Sequence, residues 1–483
     1  MAKVTTLGDD ALIALDTVRA NVTNLFEPSL RLGVTGLSRA GKTVFITSLV
    51  HNLLHGGRLP LFDVASSGRL ASARLTHQPD DDVPRFQIED HVRALVEKRR
   101  WPESTRAISQ LRLTLDYESA SGWTRRFGAG RLSIDIVDYP GEWLLDLPLL
   151  GKSYGDWCRE ALVLAGEPRR AELAAKWREL ADDTPPDSPF DEERARHLAE
   201  AYASYLREAR ADETAFSTLP PGRFLMPGDL EGSPALTFAP LPLARAEHPD
   251  GSFAAVMERR YEAYKRIVVK PFFRDHFARI DRQIVLVDAL QALNAGSAAL
   301  RDLEEALAGI LECFNPGARS FLGSLFSVRT DRLAFAATKA DHLHHSDHDR
   351  LETLLGSMVE RASRRARFAG AQTEVLALAA VRATREGRVT SGSEKLDVIV
   401  GTPIEGETID GRTFDGETET AIFPGDLPTS PAVLHDPDRS PDQLRFVRFR
   451  PPKVERTAEG LKLSLPHIRL DRTLQFLLGD RLA

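Results

Sequence analysis

The chain has 483 residues, 42% of them hydrophobic and 28% charged, with a formal net charge of −7. This is the balance of a soluble globular protein, long enough for two to four domains at roughly 150 residues each, and its acidic excess argues against broad nucleic-acid binding. Two distant cysteines, Cys158 and Cys313, give neither a disulfide framework nor metal-ligand spacing, and the absence of a membrane-spanning apolar run or a basic-then-apolar leader predicts a cytoplasmic protein, with peripheral membrane contact left open.

Residues 9–26, "DDALIALDTVRANVTNLF", carry apolar residues at three-to-four spacing up to Pro28 and predict an amphipathic helix. "LRLGVTG" then reads as a short buried strand, "GLSRAGKT" (36–43) as a loop, and "KTVFITSLVHNLLHG" as a helix stopped by Gly56 and Gly57. Residues 86–99 look helical, and "WPESTRAIS" breaks that pattern. "SQLRLTLDY" and "GRLSIDIVDYPG" alternate with period two, as half-buried strands do. Helical patterning runs from Lys152 to about Leu206, broken at "DDTPPDSPFD", and 217–250 is a long loop rich in Pro and Gly. A helix over 252–280 is followed by strands "RQIVLVDAL", "RLAFAATKAD" and "TEVLALAAVRAT", with a helix near 297–314 between the first two. Strands alternating with helices imply a parallel α/β sheet. Beyond Thr384, "EKLDVIVGTPI", "GETIDGRTFDGETETAIF" and "RFVRFRPP" are strand-like and punctuated by Asp-Gly, which predicts a small antiparallel unit; "LDRTLQFLLGDRL" closes the chain as a helix.

The pattern G-x-x-x-x-G-K-[ST] between a strand and a helix is the layout of a phosphate-binding loop. Its glycines let the backbone wrap phosphate oxygens, and the N–H groups of Ser38, Arg39, Ala40, Gly41, Lys42, Thr43 and Val44 are the candidates to point inward, helped by the positive end of the helix. Lys42 is expected to reach the β- and γ-phosphates and Thr43 to place its hydroxyl on Mg²⁺. "IDIVDYPGE" ends a strand with Asp138, a Mg²⁺ candidate, followed by Gly141, whose N–H would sense the γ-phosphate. "TKAD" ends a later strand: the Asp341 carboxylate would accept from guanine N1–H and N2 amino groups, which adenine does not offer as a pair, and Lys339 would lie over the base.

Together these segments resemble the P-loop GTPases, although about a hundred residues separate the first two and two hundred the second pair. The stretches "GLSRAGKTVFITSLVHNLL", "WPEST", "DYPGEWLLDLPLLGKSY", "IVLVDALQALNAG", "TKADH" and "PHIRLDRTLQFLLGD" are similar to the YcjX family of bacterial P-loop proteins over nearly the whole chain. The resemblance implies a Ras-like GTPase sheet binding GTP or GDP with Mg²⁺, a helical insertion, and association with stress-response operons. It divides the chain into an N-terminal helix (1–28), a first GTPase part (29–150), the insertion (151–282), a second GTPase part (283–390) and a β-rich unit with a terminal helix (391–483). It places "WPESTR" at the first switch: Trp101 near base or ribose, Ser104 and Thr105 facing the phosphates, Arg106 neutralising one, and Thr105 joining Thr43 and Asp138 around Mg²⁺. His342 would edge the base, and Ala380 and Val381 would offer backbone contacts to the guanine oxygen.

Many Ras-like GTPases carry Gln after D-x-x-G, whereas Glu142 stands here, which predicts slow hydrolysis or an unusual base. Lys42, Thr43, Asp138, Gly141 and Glu142 are therefore the expected catalytic set, with Arg39 and Arg106 as arginine candidates. The histidines of "KADHLHHSDHD" read as a flexible polar loop rather than a metal site. Three functions fit: a GTP-hydrolysing switch, a small-molecule kinase, and a nucleotide-dependent interaction protein that hydrolyses little. The expected partners are a guanine nucleotide and an unidentified protein effector that engages the helical insertion, whereas a kinase would use region 151–282 as a lid over an acceptor.

Overall fold

The computed structural model describes residues 28–37, 39–103, 105, 107–120, 130–211, 220–312, 330–391, 394–428, 444–454 and 464–483. The predicted helix at 9–26 lies outside them. Strand β1 (Ser29–Gly36) leads through the glycine loop into helix α1 (Lys42–Leu54). Next come β2 (Leu70–Thr76), α2 (Ile88–Val96), β3 (Ser109–Tyr117) and β4 (Gly130–Asp138). The insertion follows with α3 (Tyr154–Ala165), α4 (Pro168–Asp182), α5 (Glu192–Ala211) and α6 (Phe253–Tyr264). The helical path of α6 continues to Phe277 through two π turns flanking Pro271, because proline removes a backbone donor and widens the turn around it. Strand β5 (Arg282–Val287), helices α7 (Ala289–Ala295) and α8 (Ser297–Glu312), β6 (Arg332–Ala337), α9 (His348–Met358), α10 (Glu360–Phe368) and β7 (Gln372–Ala377) complete the main layer.

The seven strands run in the order β2-β3-β4-β1-β5-β6-β7. From β4 through β7 all neighbours are parallel, but β2 and β3 pair antiparallel at one edge. The sheet is thus mostly parallel with an antiparallel edge. Strand β2 was not among the expected elements; as an edge strand, "LASARLT" is mostly half-buried and shows no alternation.

Alternate residues of each central strand feed two cores. Leu32, Val34, Ile284, Leu286, Ala334 and Ala336 face α1 and the terminal helix α11 (Leu470–Leu478). Val285, Val287, Leu333, Phe335 and Ala337 face the opposite layer, whose core runs without interruption into the insertion. There Trp157 stacks on Tyr261 and Trp177 on Tyr205, at 5.1 and 5.7 Å between ring centres. The terminal helix therefore packs on the main sheet. Buried Arg282 holds it, donating from Nη2 to Asp480 Oδ2 at 2.6 Å and from Nε to Asp331 Oδ1 at 3.0 Å.

The β-rich unit has β8 (Arg385–Ser391), β9 (Glu394–Gly401) and β12 (Thr420–Ile422) in one antiparallel sheet, and a small hairpin of β10 (Thr408–Ile409) and β11 (Arg412–Thr413). Asp410 and Gly411 turn that hairpin with φ of 50° and 76°, the left-handed pair a tight two-residue hairpin needs. "RFVRFRPP" forms no strand of its own. It pairs around Phe449 with Pro403, through Arg450 N–H to Thr402 O and Ile404 N–H to Arg448 O at 2.8 Å each, and bonds from Arg445 N–H to Pro424 O at 2.9 Å, before two prolines end the ladder.

Candidate nucleotide site

Parallel strands end together, so the loops after β1, β4, β5, β6 and β7 open at one edge of the sheet, where α/β folds place their ligand crevices. Because β3 runs antiparallel, with Ser109 opposite Asp138, the residues just before it arrive at the same edge. A cleft of about 1260 Å³ lies there. Its lining includes Arg39, Ala40, Gly41, Lys42, Thr43, Val44, Trp101, Thr105, Gly141, Glu142, Lys339, Asp341, His342, Ala380 and Val381. Asp138 sits just beneath. Ser38, Ser104 and Arg106 lie outside the described residues.

The glycine loop takes the shape that the motif predicts. Arg39 and Gly41 have φ of 64° and 87°, and Phe45 N–H bonds back to Gly41 O at 2.9 Å to start α1. Lys42 is buried and donates to the carbonyls of Gly36 and Leu37 at 2.8 and 3.3 Å. Burial pushes its ammonium below the usual lysine range, while Asp138 and Glu142 hold it up. Gly141 is pressed against this loop: a Cβ there would lie 2.2 Å from Gly36 O and 2.8 Å from Lys42 Nζ. No side chain fits, which is the physical reason for glycine at this position.

Thr105 donates to Asp138 Oδ2 at 2.6 Å and meets the Thr43 hydroxyl at 3.0 Å. The three residues expected around a cation thus form one connected set. Asp138 Oδ1 is buried with no hydrogen-bond partner among the described residues, and burial pushes the carboxyl up to about 6 against the pull of Lys42. A buried orphan carboxylate oxygen beside two hydroxyls is a donor set suited to a hard cation such as Mg²⁺.

At the other end of the cleft, Asp341 is buried and accepts from Ala383 N–H through Oδ2 at 2.8 Å. A carboxylate has about four lone-pair sites, so capacity for further donors remains. Lys339 adopts φ of 60° and ion-pairs with Asp288, whose other oxygen caps α7 by accepting from Gln291 N–H at 3.2 Å. His342 meets Phe449 edge-on at 5.3 Å, and burial lowers its pKa. The Ala380 carbonyl accepts from Ser48 of α1, and Val381 packs with Leu95 and Leu465. Trp101 leans on that cluster and donates to Phe449 O at 2.6 Å.

The histidine-rich stretch departs from the expected flexible loop. It forms two 3₁₀ turns leading into α9, with His344 and His348 buried and His348 Nε2 bonded to Ala340 O at 2.9 Å. His344, His345 and Glu386 bring their ligand atoms within 4.8 Å of one another. The signal for burial was the apolar spacing Leu343, Leu351, Leu354 around them, which the histidines obscured.

Two contacts at the cleft with distant segments escaped the sequence reading. Glu405, Glu407, Gly416 and residues 446–451 make the β-rich unit one wall of the cleft. Glu142 is ion-paired with Arg210 at the end of α5, in the insertion. Sequence distance hides both contacts.

Strand order, loop positions and the glycine loop define an α/β P-loop nucleotide-binding protein of the Ras-like kind. The chain belongs to the YcjX-like family (DUF463), whose profile matches residues 30–482. It is 38% identical over 474 residues to the Ras-like GTPase YcjX of Escherichia coli K12, covering 94% of this chain and 96% of that protein. It is 37% identical over 474 residues to the Ras-like GTPase YcjX of Shewanella oneidensis MR-1, covering 94% of each. No helix among the described residues is long and apolar enough to cross a membrane.

Proposed function

We propose that this chain binds GTP with Mg²⁺ in the cleft, hydrolyses it slowly to GDP and phosphate, and changes state with the γ-phosphate. The observation that carries the reading is the convergence of Lys42, Thr105 and Asp341, from three distant segments, on one cleft. Lys42 would exchange its bonds to the Gly36 and Leu37 carbonyls for phosphate oxygens. Asp341 would select guanine by accepting two donors that adenine lacks as a pair. Thr43, Thr105 and Asp138 would hold the cation, which when bound neutralises charge on the phosphates. The N–H of Gly141 would sense the γ-phosphate from its place against the loop.

Slow turnover follows from Glu142. It occupies the position where an amide orients water in many relatives of the fold, and it is tied to Arg210. A carboxylate lacks the amide N–H with which a glutamine orients the attacking water.

The second-switch segment is bound tightly to the insertion. Residues Gly141–Gly151 form a largely buried 3₁₀ helix. Trp143 donates to Met226 O at 3.1 Å, and Asp146 accepts from Gly222 N–H and the Tyr264 hydroxyl at 2.7 Å each. A change at Gly141 therefore has a rigid route into the helical layer, which supports a switch that an effector reads through the insertion. Purified protein incubated with GTP and Mg²⁺ tests the reading. Phosphate released to water supports hydrolysis, phosphate transferred to an acceptor supports a kinase, and binding alone supports a nucleotide-dependent interaction protein.

A further inference from the structure

Arg210 sits on the last turn of α5, and the next residue, Ala211, lines the cleft. The guanidinium ion-pairs with Glu142, whose side chain is 5% exposed against 26% for Arg210. Glu142 directly follows Gly141, and Gly141 stands against Lys42 Nζ. Arg210, Glu142, Gly141 and Lys42 thus form one contiguous row beside the phosphate loop. Arg210 is also near enough to Lys42 to add to the lowering of its pKa. A buried carboxylate next to a triphosphate site would repel substrate; its pairing with an arginine cancels that charge. The same pairing keeps a cation one residue away from where the γ-phosphate would lie.

We infer that Arg210 is a catalytic arginine supplied in cis by the helical insertion, parked on Glu142 and transferred to the γ-phosphate when GTP binds. The inference rests on the GTPase reading and deepens it. A triphosphate offers a guanidinium more negative charge than one carboxylate and a fork of oxygens to match its N–H groups. In the reaction, the water oxygen forms a bond to the γ-phosphorus and the bond from that phosphorus to the β–γ bridging oxygen breaks. The electron pair stays on the β-phosphate, and the water proton passes through a γ-phosphate oxygen to solvent. Arg210 N–H groups donate to the oxygens on which charge accumulates. Such an arginine accelerates phosphoryl transfer by roughly 10³–10⁵-fold in other systems. The insertion would thereby supply part of the chemistry as well as a surface, and an effector on it would control turnover by moving α5.

The test compares the full-length parent with Arg210→Ala, Arg210→Lys, Glu142→Gln and Arg207→Ala. Arg207 is one turn earlier on α5 and among the described residues bonds its own helix, to Ala203 O at 3.1 Å, so it reports damage to the helix. Phosphate release is measured at saturating GTP, and affinity by calorimetry with a non-hydrolysable GTP analogue. In a Glu142→Gln background, where no bare carboxylate is left to repel the nucleotide, Arg210→Ala should lower turnover about a hundredfold or more with affinity changed less than about threefold. Arg210→Lys should remain closer to Ala than to the parent, because lysine lacks the fork. Glu142→Gln, which frees the arginine, should raise turnover, and adding Arg210→Ala should cancel that gain. A fluorescent GDP analogue with aluminium fluoride and Mg²⁺ should form a stable complex with the parent and Arg207→Ala, but not with Arg210→Ala. Turnover unchanged by Arg210→Ala in the Glu142→Gln background overturns the inference alone, as does a loss there explained wholly by affinity or matched by Arg207→Ala. A parent that binds GTP without releasing phosphate fails the hydrolysis reading itself, and the inference with it.

Discussion

Gly222 of the insertion presses on the backbone of Glu142 so closely that a Cβ built on it would lie 1.8 Å from the Glu142 carbonyl oxygen. Its N–H meanwhile donates to Asp146 at 2.7 Å. One glycine thus pins both ends of the first turn after D-x-x-G, and the insertion holds the second-switch segment through backbone as well as side chains.

Gly222→Ala should therefore cost about 1–3 kcal/mol of stability through overpacking. It should also separate the two halves of the switch. In hydrogen exchange, residues 141–150 and 222–226 should gain protection together when the parent binds a non-hydrolysable GTP analogue in place of GDP. In the variant the 222–226 response should be reduced. Equal protection of the parent in both nucleotide states would show that this contact transmits nothing.

Lys42→Ala should weaken GTP binding more than tenfold. A charge-assisted contact to phosphate is worth roughly 1.5–3 kcal/mol, and Lys42 is buried where its loss cannot be made good by solvent. Calorimetry on the folded variant checks this, and an unchanged GTP affinity would remove the loop from the binding site.

Asp341→Asn should lose roughly a hundredfold in GTP affinity, a few kcal/mol, because an amide N–H would face the guanine amino group. Xanthine carries an oxygen there, so xanthosine triphosphate should bind the variant better than it binds the parent. Competition against a fluorescent nucleotide reads both effects. Since Asp341 also accepts from Ala383 N–H, the xanthosine gain is the arm that separates base reading from a structural role.

Asp146 gives the protein a pH-dependent stability. Burial pushes its carboxyl up to about 7, against the hydrogen bonds from Tyr264 and Gly222 and the charge of Arg223. In the unfolded chain an aspartate ionises near 3.9. Between about pH 4 and 7 the unfolded state has released a proton that the folded state keeps, so this contribution is full below pH 4 and is lost as pH rises to 7. The full shift corresponds to about 4 kcal/mol. Urea unfolding should show the parent gaining on Asp146→Asn as pH falls from 7 to 4.5. A difference independent of pH would contradict the assignment.

The parts of the site that the sequence displayed were those carried on contiguous stretches. The loop at Gly36–Thr43 reads directly because strand, glycines and helix are adjacent, and Asp138 and Asp341 stand out because each ends an apolar run. Thr105 came through resemblance alone, since its place depends on β3 running antiparallel beside β4. Arg210 was beyond reach: 68 residues separate it from Glu142, and only the folding of the insertion onto the sheet unites them. The wall built by Glu407 and Phe449 is hidden for the same reason, and strand β2 because an exposed edge need not alternate.

Calorimetric titration of the full chain with GTP, GDP and ATP, each with Mg²⁺, tests the central claim most directly. GTP and GDP should bind at one site per chain, and ATP at least about a hundredfold more weakly. ATP binding as tightly as GTP, or no binding of either guanine nucleotide, would contradict the account.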